Sequence, residues 1–408
     1  MNSEWIPTTI GDQATLQRGF DITKAQQREG SIPVISSGGT NSYHNAAAVK
    51  GPGVVLGRKG VVGSVYFVNK DFWPHDTTLW VKDFHGNDAL FVYYFFRSRA
   101  ADLAALDVGS ANPTLNRNHV HPIKTAWPPL SEQRKIAEFL GALDDRICIL
   151  RETNVTLEAI AQALFKSWFI NFDPVRAKLE GRAPEGVDEA TATLFPDGFE
   201  ESELGLAPKG WRVGVFGDLA VQVKGSVNPL DTPSREFEHY SLPAFDAHRL
   251  PVVELGASIK SNKTRMCSGV VLQSKLNPHI PRVWYPQTVG TAAVCSTEFL
   301  PWLAKAPASP EVVYCLLQST AFEAEVRTLV TGTSNSHQRV KPDQVASLRT
   351  VIATAETYGA FTNTVRPLLQ RVAENWQLCG QLAVVRDGLL PRLISGQLRL
   401  PEAEALAA

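Results

Sequence analysis

Two stretches of the chain carry apolar side chains at alternating steps of four and three residues, the spacing of a coiled-coil heptad. The first stretch runs from Ile136 to Trp168. The second repeats the same ten positions 225 residues later, from Phe361 to Leu393. Because ten matching positions over more than four heptads are uncommon by chance, the pattern predicts two long helices that bury their stripes against each other. Two core helices of ordinary domains are the alternative.

The aliphatic members of both stripes are predicted to pack between the helices. They are Ile136, Leu140, Leu143, Ile147, Leu150, Leu157 and Leu164 in the first helix, and Leu368, Val372, Leu382, Leu389 and Leu393 in the second. Asn154 in the first stripe and Asn375 and Arg386 in the second are polar positions that could fix the register at a cost in stability. Pro367 predicts a kink or the first turn of the second helix, with firm pairing from Leu368 onward. Ser131 is the predicted N-cap of the first helix.

Short β-rich runs and turn sequences precede each long helix, a pattern typical of a mixed α/β or α+β domain. In the first half, strands are predicted at Ile32–Ile35, Gly53–Leu56, Val61–Val68 and Thr77–Val81, and a helix at Ala89–Leu106. In the second half, strands are predicted at Val270–Leu272, Arg282–Tyr285 and Thr291–Cys295, and a helix at Pro310–Leu329.

The two halves also share landmarks outside the heptads. Trp5 with Gly11-Asp12 recurs as Trp211 with Gly217-Asp218 at an offset of 206 residues. Polar loops at 109–112 and 332–335 match at an offset of 223 residues. The sequence therefore predicts an internal duplication in which the second globular domain is the longer one. If the helices pair antiparallel, the α+β domains and their coiled coil form a particle with pseudo-twofold symmetry.

The predicted domain boundaries follow from these landmarks. They are 1–128 for the first globular domain, 129–172 for the first helix, 173–210 for a linker, 211–352 for the second globular domain, 353–400 for the second helix and 401–408 for a tail. The linker holds nine acids against four bases and is rich in Pro and Gly. We expect it to lie draped over the surface rather than packed as a domain.

Composition places the chain among soluble globular proteins, with 408 residues, 44% hydrophobic and 20% charged. No apolar run of eighteen residues and no signal segment at the N-terminus is found, so a cytoplasmic location is predicted. The five cysteines lack metal-ligand spacing and are predicted to be small buried side chains in a reducing compartment. The net charge of −1 does not by itself indicate a nucleic-acid binder.

The length of the helices suggests a use for the duplication. A helix of 33 residues is about 50 Å long, which exceeds the roughly 34 to 36 Å between DNA half-sites one turn apart. A rigid spacer of this length that carries two unequal domains suits the recognition of a divided DNA sequence with two different halves.

Four short motifs carry a resemblance that spans essentially the whole chain. They are Pro128–Ala137 (PPLSEQRKIA), Leu164–Phe169 (LFKSWF), Pro208–Trp211 (PKGW) and Gly388–Gly396 (GLLPRLISG). With them the chain resembles the specificity subunit of type I restriction-modification systems. The resemblance implies two target-recognition domains that each recognise one part of a bipartite, asymmetric DNA site, joined by two helices that act as a spacer and as a docking surface.

The resemblance also implies the partners and the location of the chemistry. Two methyltransferase (modification) subunits and, for cleavage, two restriction/translocase subunits would complete the enzyme. S-adenosylmethionine, ATP and magnesium would be bound by those subunits, and this chain would be non-catalytic, with no cofactor or metal of its own.

The sequence itself is consistent with a non-catalytic chain, because it has no P-loop and no Gly-x-Gly-x-x-Gly motif after a strand. Gly57–Gly63 is interpreted as a hairpin turn rather than a phosphate-binding site, since no helix follows it. Asn112-Pro113 lacks the second proline and the aromatic residue of an adenine-methyltransferase loop.

Polar residues in Gly-containing loops are the predicted DNA contacts, because short side chains and backbone NH groups can approach phosphates and longer side chains reach base edges. In the first domain they are Ser37, Gly38, Thr40, Asn41, Arg58, Lys59, Thr77, Ser110, Asn112, Thr114 and Asn116. In the second domain they are Lys275, Asn277, Ser334, Asn335, His337, Gln338 and Arg339. For any single Asn or Thr in these sets, a turn-forming role is equally consistent with the sequence.

Two other classes of function stay open at this stage. A coiled-coil scaffold or adaptor with duplicated protein-binding domains would share the architecture, and salt-dependent retention of the assembled complex on duplex DNA separates it from a DNA-recognition subunit. A self-sufficient methyltransferase or nuclease would need a cofactor loop or a carboxylate cluster, and methyl transfer by the isolated chain would identify it.

Overall fold

The computed structural model describes residues 5–106, 114–330 and 338–407 of the chain. The chain forms two compact units, the first from Met1–Ile147 with Gln381–Ala408 and the second from Cys148–Gly380. Within the described ranges, no helix is both long enough and apolar enough to cross a membrane.

The first unit holds three small sheets. Their strand orders are β1-β9, β2-β8-β5-β6 and β4-β3-β7. All five residues of β5 are buried, because this strand lies in the interior of its sheet. The strands are β1 Ile6–Thr9, β2 Thr15–Arg18, β3 Ile32–Ser36, β4 Gly39–His44, β5 Gly53–Gly57, β6 Val65–Val68, β7 Trp73–Pro74, β8 Thr78–Asp83 and β9 Lys124–Trp127.

Four short helices complete the globular part of this unit. They are α1 Ile10–Gln13, α2 Ala89–Ser98, α3 Ala100–Ala105 and α4 Arg117–Val120. The single helix predicted over Ala89–Leu106 is wrong in one respect, because Arg99 leaves the helical region at φ −109° and ψ 13° and separates α2 from α3. The apolar spacing continues across the break and so conceals it.

The first long helix, α5, spans Leu130–Lys166. Its start is not capped by Ser131 as predicted, because Ser131 lies exposed inside the first turn. The buried side chain of Gln133 fixes the start instead: its amide donates to the carbonyl of Pro128 at 2.9 Å, and its carbonyl oxygen accepts from the NH of Asp88 at 3.0 Å. A π-helical turn over Ser167–Asn171 ends the helix just before Asp173-Pro174.

The segment 173–210 is packed, which contradicts the expectation of a draped linker. It forms α6 Asp173–Leu179, α7 Glu189–Thr193 and the hairpin β10 Phe199–Ser202 with β11 Gly205–Pro208. Val175 and Phe195 are buried in the same core as Trp211. These apolar side chains anchor the segment, and its acidic residues stay on the outside.

The second unit repeats the three sheets of the first. The orders are β12-β22, β13-β21-β18-β19 and β14-β17-β20-β15-β16. The strands are β12 Arg212–Val215, β13 Ala220–Gln222, β14 Ser226–Val227, β15 Glu236–Tyr240, β16 Val252–Leu255, β17 Lys263–Arg265, β18 Val270–Ser274, β19 Val283–Trp284, β20 Ala293–Ser296, β21 Phe299–Ala304 and β22 Arg349–Ile352.

The sheets of the two units correspond strand by strand. In the third sheet, β15 pairs parallel with β20 and antiparallel with β16, as β3 pairs parallel with β7 and antiparallel with β4. The predicted duplication is confirmed. Within the third sheet, β14 and β17 have no counterpart in the first unit, and they account for part of the greater length of the second domain.

The helices of the second unit are α8 Phe216–Leu219, α9 Leu242–His248, α10 Pro310–Leu317, α11 Thr320–Thr328 and α12 Pro342–Ala346. The single helix predicted over Pro310–Leu329 is divided, as its counterpart is. Ser319 N-caps α11, since its hydroxyl accepts from the NH of Phe322 at 3.4 Å.

The second long helix, α13, spans Ala355–Ile394 and packs against α5, and a short helix, α14 Leu400–Ala407, follows it. In the first unit, Ile136 and Leu140 near the start of α5 share a core with Leu389 and Leu393 near the end of α13. In the second unit, Phe165 near the end of α5 contacts Phe361 near the start of α13, with ring centroids 5.7 Å apart. The predicted antiparallel pairing is therefore confirmed.

Pro367 lies inside α13, twelve residues after its start, so it does not mark the first turn. Pairing is not firmer after it, because Phe361 and Val365 before the proline are both 0% exposed. Leu368 itself is half-buried and Leu369 is buried. Of the other predicted packing residues, Ile136, Leu140, Ile147, Leu150, Val372, Leu389 and Leu393 are buried, and Leu143, Leu157, Leu164 and Leu382 are half-buried.

Candidate nucleic-acid interface

The loop between β5 and β6 in the first unit is a hairpin turn, as predicted. The NH of Gly57 donates to the carbonyl of Ser64 at 2.7 Å, and β5 and β6 pair antiparallel. Gly60 and Gly63 have φ values of 81° and 82°, which favour glycine. The loop therefore presents Arg58 and Lys59 at the end of a buried strand.

Backbone hydrogen bonds hold this loop to two other segments. The NH groups of Arg58 and Lys59 donate to the carbonyl of Thr77 at 2.9 and 3.1 Å. The NH of Leu115 donates to the carbonyl of Arg58 at 2.9 Å, and Lys59 forms an isolated β-bridge with Thr114. Three parts of the sequence thus meet at one place.

A fourth segment joins through Ser37. Its NH donates to the hydroxyl of Thr77 at 3.3 Å, and its carbonyl accepts from the hydroxyls of Ser64 and Tyr66 at 2.7 and 3.0 Å. We call Ser37, Arg58, Lys59, Thr77 and Thr114 the first contact cluster. The supporting roles of Ser64 and Tyr66 were not predicted from the sequence.

The guanidinium group of Arg58 is the unusual member of the first contact cluster. Its Nη1 atom is buried and has no hydrogen-bond partner among the described residues. Burial lowers the pKa of Arg58, and the positive charge of Arg18 lowers it further. An arginine donor that is buried without an acceptor is costly, and an acceptor on a bound ligand would remove that cost.

The second unit builds an equivalent arrangement around the end of β18. The NH of Asn277 donates to the carbonyl of Gln338 at 2.8 Å, and the NH of Val340 donates to the carbonyl of Lys275 at 3.1 Å. Leu276 and Arg339 form an isolated β-bridge. We call Lys275, Asn277, Gln338 and Arg339 the second contact cluster.

The two contact clusters correspond in backbone geometry. The bridge between Lys59 and Thr114 matches the bridge between Leu276 and Arg339. The bond from Leu115 to Arg58 matches the bond from Val340 to Lys275, at 2.9 and 3.1 Å. Asn277 takes φ 51° where the first unit has Gly60. The same frame thus presents different side chains in the two units.

Arg339 is held by a neighbouring carboxylate. Its Nε and Nη2 atoms donate to the two carboxylate oxygens of Glu298 at 3.0 and 3.1 Å, which raises the pKa of Arg339. Contact with a base edge would require this bidentate pair to open or to share a donor. The sequence did not indicate this pairing, because Glu298 lies 41 residues away.

The remaining predicted contacts lie apart from the clusters or outside the described residues. Gly38 is exposed in the turn after Ser37, and Thr40 and Asn41 are exposed on β4. Asn116 N-caps α4, since its side chain accepts from the NH of Asn118 at 3.0 Å, which is the turn-forming role left open for it. Ser110, Asn112, Ser334, Asn335 and His337 lie outside the described residues.

One group of side chains beside the first contact cluster has ligand atoms close enough for a metal ion. Asp21, His75 and Asp76 place one such atom each within 4.8 Å of one another. Asp76 is already paired with Arg18 at 2.9 Å and with His75 at 3.0 Å. The guanidinium group of Arg18 neutralises the carboxylate of Asp76, so the group is better described as part of an ion pair than as a metal site.

Polar contacts also hold each globular domain to a long helix. In the first unit, Asp144 on α5 accepts from Tyr94 at 2.8 Å, Arg97 at 2.9 Å and Arg386 at 2.5 Å. In the second unit, Glu158 accepts from Arg249 at 2.5 Å and Tyr314 at 3.1 Å. The sequence did not predict these contacts, which hold residues of both globular domains to α5.

Burial raises the pKa of Tyr94, so its hydroxyl stays protonated and can donate to Asp144. Burial would lower the pKa of Arg386, but its hydrogen bonds to Asp387 and Asp144 raise it overall.

The chain is similar in sequence to known proteins. A family model described as the type I restriction modification DNA specificity domain matches residues 2–159. The MjaIX specificity subunit of Methanocaldococcus jannaschii is 26% identical over 331 residues, which cover 76% of this chain and 69% of that protein. The HindI specificity subunit of Haemophilus influenzae is 24% identical over 335 residues, which cover 70% and 71%.

The fold has a solved counterpart. The S subunit of a type I restriction-modification system from M. genitalium superposes with a TM-score of 0.60 at 16% identity, covering 96% of this chain and 97% of that chain. Because the sequence identity is only 16%, this similarity shows a shared fold and nothing further.

Proposed function

We propose that this chain is a specificity subunit of a type I restriction-modification system and that it recognises a bipartite DNA site for such a system. Specificity subunits are the non-catalytic, DNA-recognising members of these enzymes. The observation that carries the proposal is the pair of contact clusters, in which one backbone frame occurs twice with different side chains.

Each cluster suits a different half-site. The first offers Arg58, whose unpartnered Nη1 suits a guanine O6 or N7 acceptor, and Lys59, whose exposed amine suits a phosphate. The second offers Gln338, an amide that can pair with adenine, beside Arg339. Because the two clusters present different side chains on the same backbone geometry, the two half-sites should differ in sequence.

The other predicted contacts belong to the same proposal. Ser37, Gly38 and Thr77 would place hydroxyl and NH groups near phosphates. The polar loops at 109–112 and 332–335 end two positions before the bridging residue Thr114 and four positions before the bridging residue Arg339. The α5–α13 pair would serve as the spacer between half-sites.

The proposed partners are two methyltransferase subunits and, for cleavage, two restriction subunits with translocase activity. S-adenosylmethionine, ATP and magnesium would be bound by those partners. The long helices would supply the docking surface, and a cytoplasmic location goes with this assignment.

The test is to map methylated positions in a genome that carries this chain with its methyltransferase partners. A bipartite site with two different halves and a constant gap is expected. Exchange of residues 211–352 for the second domain of a relative should change one half-site and leave the other and the gap unchanged. A continuous site, or simultaneous change of both halves, would refute the proposal.

A variant of Arg58 tests the residue assignment. Arg58→Ala should weaken specific binding of the assembled complex by about 1 to 3 kcal/mol and relax preference at one position of one half-site. Lys59→Ala, the adjacent control, should weaken binding to all sequences alike. Uniform weakening by Arg58→Ala would show that Arg58 contacts a phosphate.

A further inference from the structure

The strands β14 and β17, which the second unit has and the first unit lacks, border a polar groove. Ser226 on β14 pairs with Thr264 on β17, and Arg265 on β17 pairs with Val294 on β20. The groove has a volume of about 250 Å³, and its polar lining includes Ser226, Asn228, Asp231, Arg235, Arg265 and Thr291. We call it the arginine groove.

The arginines of the second domain fall into two groups, those that form an ion pair with a carboxylate and those that do not. Eight arginines lie in residues 211–352, and all of them are described. Six pair with carboxylates: Arg212, Arg249, Arg282, Arg327, Arg339 and Arg349. The other two, Arg235 and Arg265, have no carboxylate oxygen within 4.0 Å among the described residues, and both line the arginine groove.

Local contacts leave both guanidinium groups available. Arg235 and Arg265 are exposed, and Arg235 lies over the ring of Phe237 with its Cζ atom 5.3 Å from the centroid. Such stacking orients a guanidinium group without using its NH donors. Lys224 lines an adjoining groove that also includes Ser226 and Arg265.

The one carboxylate in the lining does not cancel these charges. Asp231 accepts from the side-chain amide of Asn228 at 2.7 Å and pairs with neither arginine. Two unpaired arginines, with Lys224 nearby and the hydroxyls of Ser226 and Thr291, make a surface that suits anionic oxygens. Ten donor NH groups on two guanidiniums match the geometry of phosphate better than that of a neutral ligand.

We propose that the arginine groove binds the phosphate backbone of duplex DNA. This inference rests on the proposed function and deepens it, since it adds a backbone contact that only the second target-recognition domain possesses. The two domains then contribute unequally: the second supplies more of the sequence-independent affinity, because phosphate contacts position a protein without reading bases.

Equilibrium binding of the assembled methyltransferase complex to duplex DNA, measured over a range of salt concentrations, tests this inference. Arg235→Ala and Arg265→Ala should each reduce the slope of log K against log salt by about 0.9. Both should weaken specific and non-specific duplexes by the same factor and leave the methylated sequence unchanged. Arg235→Lys and Arg265→Lys, which keep the charge, should retain the wild-type slope.

Arg327→Ala is the matched control. It removes one positive charge from the same domain, but Arg327 is paired with Glu323 on α11, so the slope should stay at the wild-type value. Equal slopes for wild type and both alanine variants would overturn the inference while the sequence specificity of the wild type still stands. A changed half-site would overturn it too, since the groove would then contact bases. If the wild-type complex itself lacks sequence preference, the proposed function fails instead.

Discussion

Asn375 on α13 donates a hydrogen bond from its side-chain amide to the side-chain oxygen of Asn154 on α5 at 2.8 Å. Asn154 in turn donates to the carbonyl of Val372 at 3.2 Å. Both asparagines are only 1% exposed, within stripes that are mostly apolar. A buried pair of this kind satisfies itself only in one alignment, so it specifies the register of the two helices.

This pair predicts opposite effects for single and double substitutions. Asn375→Leu should destabilise the chain by about 1 to 3 kcal/mol, because the buried oxygen of Asn154 loses its donor. The double variant Asn154→Leu with Asn375→Leu should be near wild type or more stable, since both polar groups are removed together. Chemical denaturation of the wild type, the single variants Asn154→Leu and Asn375→Leu, and the double variant gives the coupling energy. Additive losses would contradict the assigned role.

Asp144 predicts a second stability effect, in the first unit. Asp144→Ala removes the acceptor of Tyr94, Arg97 and Arg386, and the side chain of Arg386 is only 12% exposed. We expect a loss of roughly 3 kcal/mol, the lower end for a broken buried ion pair, because Asp144 is 27% exposed. The neighbouring control Asp145→Ala, at an exposed position, should stay within about 0.5 kcal/mol of wild type. Similar denaturation midpoints for the two variants would argue against an Asp144 network.

His121 predicts a dependence on pH. The NH of Leu16 donates to its Nε2 atom at 2.9 Å, which requires that nitrogen to be unprotonated. Burial, and then the charge of Arg117, lower the pKa of His121 below its usual 6.5. The unfolded chain therefore binds a proton more readily, so this stabilisation is present above pH 6.5 and is lost as the pH falls through the lower folded pKa.

Melting temperatures between pH 7.5 and 5.0 should accordingly fall more steeply for the wild type than for His121→Gln, whose side-chain oxygen still accepts from Leu16 but does not titrate. Parallel curves would show that His121 does not contribute to the acid sensitivity.

The spacer role predicts the effect of lengthening both helices. Seven residues inserted after Asn154 in α5 and seven before Asn375 in α13 keep the stripes aligned and add about 10 Å. The gap between half-sites should grow by about three base pairs, at 3.4 Å each, with both half-sites unchanged. The same seven residues inserted at the exposed Leu204, in the β10–β11 turn, should leave the gap as it was. Methylation mapping measures both, and a constant gap in the helix variant would refute the spacer role.

Long periodic features were predictable from the sequence, and local features were not. The heptad stripes and the matching Trp5 and Trp211 regions correctly indicated paired helices and a duplication, because periodicity over many residues averages out local exceptions. Ser131 was wrong as a cap, since the start of α5 depends on Gln133 and on side chains about 45 residues away. The pair of Arg339 with Glu298 likewise depends on which strands are neighbours.

The shared core of the first unit has a consequence for biosynthesis. Leu140 packs in one cluster with Leu389, Leu393 and Ala403, which lie more than 240 residues further along the chain. The amino-terminal domain, although it is translated first, cannot complete the burial of its own helix until the end of α13 and residue 403 have been synthesised. We expect the nascent amino-terminal half to remain an incompletely packed, protease-sensitive intermediate throughout most of translation.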